Sequence, residues 1–157
     1  MTSFDEIPNE VTEINCSNNK MTHLPDFERF INLTIIYCFN NKLSYLPEWE
    51  TLINLKTIIC YNNELISLPE WNQLINLTEI DCKYNQLTYL PEWRYLINLT
   101  EIDCSYNIIN YLPISWSRLN NLTDIDTIEI QLNIFLLNLL RIINSKKDIN
   151  IQSSLRN

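Results

Sequence analysis

The sequence predicts an α/β solenoid, in which stacked repeats each add one short strand to a parallel sheet. Cysteine recurs every 22 residues, proline and asparagine keep the same step, and glycine is absent from the 157 residues. A fixed period of about 20 to 50 residues is the signature of stacked repeats, whose neighbours share one continuous core. The recurring positions are Cys16, Cys38, Cys60, Cys82 and Cys104; Pro25, Pro47, Pro69, Pro91 and Pro113; and Asn19, Asn41, Asn63, Asn85 and Asn107.

The strand of each unit follows from alternation in the segment that ends at the cysteine. In the second unit, Ile36 and Cys38 point inward, whereas Ile35, Tyr37 and Phe39 point outward. Strands of successive units stack about 4.8 Å apart, so we expect a parallel sheet on the concave side.

The return segment of each unit supplies the rest of the core. A proline follows its second leucine, and Glu48 comes directly after Pro47, so we expect a short helical or 3-10 turn on the convex side. Its inward residues in the second unit are Leu43, Leu46, Trp49, Leu52 and Leu55. The tryptophans Trp49, Trp71, Trp93 and Trp116 are interpreted as a core column rather than as a cation-binding or base-stacking surface.

The recurring asparagine lies where the chain leaves the strand. A buried amide there bonds loop backbone groups of its own repeat and of its neighbour. We therefore expect a ladder of asparagines to do what glycine does in other turns.

The units read VTEINCSNNKM, LTIIYCFNNKL, LKTIICYNNEL, LTEIDCKYNQL and LTEIDCSYNII, each followed by a segment of the type xxLPEWxxLIN. They resemble the leucine-rich repeat, L-x-x-L-x-L-x-x-N-x-L, with cysteine in the third apolar slot and an LP-type second half. The resemblance implies a curved right-handed β-α superhelix of 22-residue repeats. It also implies the class of intracellular adaptors, phosphatase or GTPase regulators and substrate-recognition arms. The composition, rich in Asn and Ile and without Ala or Gly, resembles that of proteins from AT-rich genomes such as large DNA viruses of amoebae.

The resemblance divides the chain into four parts. Residues 1–10 form a lead-in, and residues 11–132 form the repeat domain, with five full repeats and a degenerate sixth in which Thr127 replaces cysteine and Ile130 replaces asparagine. Residues 133–144 are apolar at nearly every helical position and predict a helix from about Ile134 to Ile143 that caps the solenoid. Residues 145–157 form a polar tail. Only Phe4, Ile7 and Pro8 are available to cover the other end, which leaves an exposed strand edge.

The composition excludes several chemistries. Without glycine, phosphate-cradling loops and strained nucleophile turns cannot form in their usual way. A lone histidine, His23, completes neither a catalytic triad nor a Cys/His zinc site. The cysteine column favours free, buried, reduced thiols, because neighbours on parallel strands are poorly oriented for bridging. We therefore expect no enzyme activity, no cofactor and no metal.

The charge is uneven along the chain. The net charge is −8, with an acidic body over residues 1–130 and a basic excess after it. An acidic body repels nucleic acid and anionic membrane, so neither is an expected partner. The N-terminus shows no signal peptide and no stretch is a clean transmembrane span, which predicts a cytoplasmic location, in the host if the protein is viral, or a nuclear one. Membrane association through Ile134 to Ile143 is a third, minor alternative.

The outward positions of the concave sheet vary between repeats and form the candidate binding face. An apolar and aromatic patch lies on repeats two and three, and a block of six carboxylates, relieved by Lys83, lies on repeats four to six. The patch comprises Ile35, Tyr37, Phe39, Ile59 and Tyr61; the carboxylates are Glu79, Asp81, Glu101, Asp103, Asp124 and Asp126, with Tyr84 and Tyr106 on their rim.

Like charges on neighbouring strands repel by about 0.8 kcal/mol in water and about 3 kcal/mol at an effective dielectric of 20. A stability cost beside an exposed aromatic cluster is typical of a binding face, here for a protein with a basic stretch and an apolar or aromatic anchor. Self-repulsion also predicts that Asp103→Asn keeps or raises stability. Two alternatives stay open: repeat duplication copied LTEID without selection for binding, or the protein is an assembly component that self-associates through its N-terminal edge or convex face. We expect a monomer or weak self-association.

Overall fold

A computed structural model describes residues 4–127, which form one six-stranded parallel sheet. The strands follow chain order from β1 to β6, and each pairs with the next in the register of the repeat. They are β1 (Glu13–Asn15), β2 (Ile35–Tyr37), β3 (Thr57–Ile59), β4 (Glu79–Asp81), β5 (Glu101–Asp103) and β6 (Asp124–Asp126). The predicted parallel sheet, with one strand per unit, is confirmed.

The inward columns of the sheet form the core. Ile36 and Cys38 are fully buried, and the central residue of every strand is buried between two more exposed neighbours. The return-segment residues Leu43, Leu46, Trp49, Leu52 and Leu55 are all buried, as predicted. The five cysteines are free and buried, and burial raises the pKa of the Cys16 thiol to about 11. Their protonated state at neutral pH suits a packing role.

The convex side differs from the sequence-based prediction, because most of its segments are turns rather than helices. No α-helix occurs in residues 4–127, so the α/β description overstates the helix content of this part. Leu52 N donates to Trp49 O at 3.0 Å and Leu55 N to Leu52 O at 2.9 Å, which makes two successive turns. The predicted 3-10 turn is found at Ile114–Arg118, where the segment LPISWSRL carries one extra residue.

The tryptophans account for the sharp turn of the chain after Pro47, Pro69 and Pro91. Trp49, Trp71 and Trp93 have left-handed φ values of 50°, 45° and 39°, a conformation that costs roughly 1 to 2 kcal/mol per residue. The turn directs each indole into a stack, with Trp71 and Trp93 5.9 Å apart and 10° from parallel. Trp71 Nε1 also donates to Pro47 O of the preceding repeat at 3.0 Å. Burial and stacking offset the backbone cost, and the core role of this column is confirmed.

The asparagine ladder is confirmed and holds adjacent repeats together. Asn63 Nδ2 donates to Cys60 O of its own repeat and to Cys38 O of the preceding one, both at 3.0 Å. Its Oδ1 accepts from Leu43 N at 3.0 Å. The left-handed position is the residue just before this asparagine, namely Asn18, Asn40, Asn62, Tyr84 and Tyr106.

The N-terminal lead-in covers the first repeat. A 3-10 turn at Phe4–Glu6 packs Phe4 edge-on against Phe27 at 5.0 Å, and Arg29 donates to the carbonyls of Phe4 and Ile7. Phe27 occupies the tryptophan slot of the first unit and stacks on Trp49. The predicted capping helix from Ile134 to Ile143 and the polar tail lie outside the described residues, so the domain bounds stay predictions. Within residues 4–127, no helix is long and apolar enough to cross a membrane.

Candidate functional site

The register places the predicted outward residues in two straight columns across the exposed face of the sheet. The first column runs Glu13, Ile35, Thr57, Glu79, Glu101 and Asp124. The second runs Asn15, Tyr37, Ile59, Asp81, Asp103 and Asp126. The face therefore divides along the strand order into an aromatic part over β2 and β3 and an acidic part over β4 to β6.

The aromatic part is a packed cluster rather than a set of separate side chains. Phe39 stacks on Tyr61 with ring centroids 4.6 Å apart and planes 9° from parallel. Tyr37 meets Phe39 edge-on at 6.4 Å. Phe39 and Tyr61 follow the ends of β2 and β3, and all three rings are only partly buried. The cluster thus offers preformed ring faces and edges to a partner.

Lys83 joins the aromatic and acidic parts. Its Nζ lies 2.9 Å from Asp81 Oδ2 and 3.1 Å from Asp103 Oδ2, bridging neighbouring strands. The same ammonium lies 5.2 Å from the centroid of the Tyr61 ring. One cation therefore neutralises part of the acidic second column and also contacts the last ring of the aromatic cluster, Tyr61.

The ionisation of this group reflects both burial and pairing. Burial raises the pKa of Asp81, although the hydrogen bond and charge of Lys83 act against the rise. Partial burial by itself lowers the pKa of Lys83, but its hydrogen bonds to Asp81 and Asp103 outweigh that effect and raise it. Asp81 and Lys83 thus each carry a raised pKa, and their charged atoms lie 2.9 Å apart.

Asp103 is held by local bonds, which self-repulsion between carboxylates does not take into account. Its Oδ1 accepts from Ser105 N at 3.0 Å and from Ser105 Oγ at 2.6 Å, while its Oδ2 accepts from Lys83. Asparagine keeps the Ser105 bonds but places an amide against the ammonium. We therefore expect Asp103→Asn to lower stability, opposite in sign to the prediction from self-repulsion alone.

The first column lacks such a cation. Glu101 lies between Glu79 and Asp124, and among residues 4–127 its carboxylate accepts no hydrogen bond and forms no ion pair. Partial burial, together with the charges of Glu79 and Asp124, raises the pKa of Glu101. The carboxylate of Glu79, unlike that of Glu101, has a hydrogen-bond donor, because Thr57 Oγ1 donates to its Oε2 at 3.3 Å. Glu101 is thus the carboxylate on which self-repulsion acts most directly.

The rim contains features that the sequence did not predict. Tyr84 and Tyr106 stack at 4.3 Å, 7° from parallel, and each is at least 40% exposed. The same column continues as a second asparagine ladder, in which Asn62 Nδ2 donates to Asn40 Oδ1 at 2.7 Å and Asn40 Nδ2 to Asn18 Oδ1 at 2.8 Å. The 22-residue spacing was the available signal for both, since it brings equivalent side chains into contact.

The lone histidine and the carboxylates of the described residues form no further site. His23 is exposed and contacts the hydroxyl of its neighbour Thr22 at 3.2 Å. No group of His, Cys, Asp and Glu side chains within residues 4–127 is arranged to hold a metal ion.

Comparisons with solved structures establish the fold. The functional domain of InlJ from Listeria monocytogenes, which includes a cysteine ladder, is 33% identical with a TM-score of 0.67, over 78% of this chain and 26% of that one. A leucine-rich repeat protein of Leptospira interrogans is 29% identical with a TM-score of 0.76, over 83% and 34% of the two chains. A chain of the Toll–Spatzle complex of Drosophila is 29% identical with a TM-score of 0.69, over 78% and 18%. The resemblance to leucine-rich repeat proteins is therefore confirmed for the fold.

The chain spans about a third or less of the length of these solved proteins. No family model matches the sequence, and no curated protein does. An origin in an AT-rich or viral genome stays a prediction.

Proposed function

We propose that the chain is a non-catalytic recognition module that binds another protein on the concave face of its sheet. The partner carries an aromatic or apolar anchor that packs on Phe39 and Tyr61, beside a basic stretch that pairs with the acidic columns. The observation that carries this proposal is the stacked, partly exposed aromatic cluster, which lies on the same face as two columns of carboxylates that begin on the next strand, β4.

Three features support this assignment. The aromatic rings lie outside the core, so packing of the fold does not require them. Hot spots of protein interfaces are enriched in such aromatic anchors, and charged rims steer association. One solved chain of the same fold belongs to a protein complex, the Toll–Spatzle complex. The absence of enzyme activity remains part of the proposal.

The test is binding to a displayed library of peptides that pair one aromatic residue with several basic ones. We expect enriched peptides to lose affinity for Phe39→Ala/Tyr61→Ala by at least about tenfold, since each buried aromatic anchor contributes more than about 1 kcal/mol. The matched control is Tyr89→Ala/Tyr95→Ala, which removes two tyrosines that are 43% and 59% exposed outside these columns. Affinity should also fall with added salt. Equal loss in both double variants, or enrichment of peptides without basic residues, would contradict the proposal.

A further inference from the structure

The first strand of the sheet leaves one edge unpaired. In each later strand, the first residue donates its N–H to the preceding repeat, as Ile35 N does to Thr12 O at 3.2 Å, and the third accepts from it, as Tyr37 O does from Cys16 N at 2.9 Å. The equivalent groups of β1 are the N–H of Glu13 and the carbonyl of Asn15. No group among residues 4–127 bonds them, so β1 exposes a short row of backbone donors and acceptors.

The asparagine ladder is open at the same edge. Asn41 bonds the preceding repeat twice, through Nδ2 to Cys16 O at 3.0 Å and through Oδ1 from Met21 N at 3.0 Å. Asn19 donates to Cys16 O and Ser17 O of its own repeat, both at 2.9 Å, and its Oδ1 accepts nothing within the described range. The first repeat therefore has the groups that would bond a preceding repeat, but no described residue bonds them.

The end of the solenoid at the first repeat also has partly exposed apolar side chains. Within residues 4–127, the hydrophobic residues that pack on the core while staying partly exposed come from the first repeat and its lead-in, namely Phe4, Ile7, Val11 and Met21. Arg29 fastens the lead-in over the convex half of this end, through Phe4, Ile7 and Asn9. On the half beside β1, no strand among residues 4–127 pairs with the free edge.

We propose that this edge binds the same edge of a second copy, with the two β1 strands antiparallel about a two-fold axis at Ile14. An interface between two identical patches closes as a dimer. In this register Glu13 lies opposite Asn15 of the second copy, and each such pair exchanges two backbone hydrogen bonds. The two six-stranded sheets then join into one.

Side-chain chemistry selects this register. Asn15 Oδ1 accepts from Ser17 N at 3.1 Å and from Ser17 Oγ at 2.6 Å, which fixes the amide and leaves its Nδ2 to donate. The carboxylate of Glu13 of the second copy is the matching acceptor. A register centred on Glu13 places two carboxylates opposite each other, which is unfavourable.

A head-to-tail stack is disfavoured for the same reason. Parallel addition of β6 of a second copy to β1 in the register of the repeat puts Asp124 beside Glu13. The two-fold arrangement avoids that repulsion. It does not rest on the proposed function, since it uses the edge of β1 rather than the aromatic cluster.

The test is sedimentation velocity of the full chain over a wide range of concentrations, with three variants. We expect the natural chain to dimerise reversibly and Asn15→Asp to weaken the dimer by at least about tenfold, because two carboxylate pairs then oppose each other across the axis. Asp103 makes the same serine contacts with a carboxylate, so the substitution preserves the local turn. The double variant Glu13→Lys/Asn15→Asp should restore dimerisation.

The control is Asn72→Asp, an equal charge change at an exposed position outside the first repeat, which should leave the dimer unchanged. A natural chain that stays monomeric at every concentration would overturn the proposal. So would a dimer that Asn15→Asp leaves intact, or one that the double variant fails to restore while its thermal unfolding matches that of the natural chain.

Discussion

The two sides of the sheet differ in how their columns change from repeat to repeat. Inward columns keep one chemistry, such as the cysteines that follow β1 to β5 and the asparagines that tie repeats together. Outward columns pass from aromatic over β2 and β3 to acidic over β4 to β6. The inward asparagines from Asn41 to Asn107 make the same bonds in successive repeats, whereas an outward group acquires its partners from particular neighbours such as Lys83. This difference separates what the fold requires from what is available for recognition.

The largest effect is expected for the tryptophan column. Trp71→Ala removes a fully buried indole, its stacking on two neighbours and its bond to Pro47 O. We expect a loss of about 3 to 5 kcal/mol in the free energy of unfolding, measured by urea denaturation. Tyr95→Ala, at a position 59% exposed, should change it by less than about 0.5 kcal/mol. Similar losses in both variants would remove the distinction between core and surface aromatics.

The asparagine ladder should give the next largest effect, and its members should differ according to whether they bond a neighbouring repeat. Asn63→Ala leaves Leu43 N and the carbonyls of Cys38 and Cys60 without their amide partner in a buried site. We expect it to lower the free energy of unfolding by about 2 to 3 kcal/mol. Asn19→Ala, at the equivalent slot of the first repeat, should cost less than about 1 kcal/mol because it breaks no bond to another repeat. Equal costs would show that bonds within a repeat dominate the ladder.

The two acidic columns should respond to neutralisation in opposite directions. Asp103→Asn breaks the pair with Lys83 and should lower the free energy of unfolding by about 1 kcal/mol at low salt, since the pair is partly exposed. Added salt should shrink that loss. A gain in stability would mean that repulsion between Asp81 and Asp103 exceeds the benefit of their shared cation.

The smallest expected effect is a gain from Glu101→Gln. Relief of repulsion from Glu79 and Asp124 should raise the free energy of unfolding by about 0.5 kcal/mol at pH 7. Because folding raises the pKa of Glu101, the folded state binds its proton more tightly, and the natural chain gains stability as pH falls through that raised pKa. The advantage of the variant should therefore disappear on acidification toward about pH 4. A difference that does not change with pH would contradict this origin.

The sequence indicated which residues share the candidate site, but it did not indicate how their side chains pack against one another. The positions of Tyr37 and Phe39 on one surface followed from alternation along a strand. Their arrangement as an edge-on pair, with Phe39 stacked on Tyr61, depends on side-chain rotamers that spacing does not fix. Whether a partner uses these residues remains a prediction.

The sequence by itself determined the repeat period, the inward columns and the register of the six strands, because five units repeat one spacing of apolar residues, Cys and Asn, and the sixth keeps its Leu and Ile. Only the tertiary structure decided how the convex segments turn, since the left-handed conformation of Trp49 and its equivalents is disfavoured locally and stabilised by stacking between repeats. Only the tertiary structure placed Lys83 on both Asp81 and Asp103. An ion pair between strands depends on where one flexible side chain lies in three dimensions, and a repeating pattern does not encode that position.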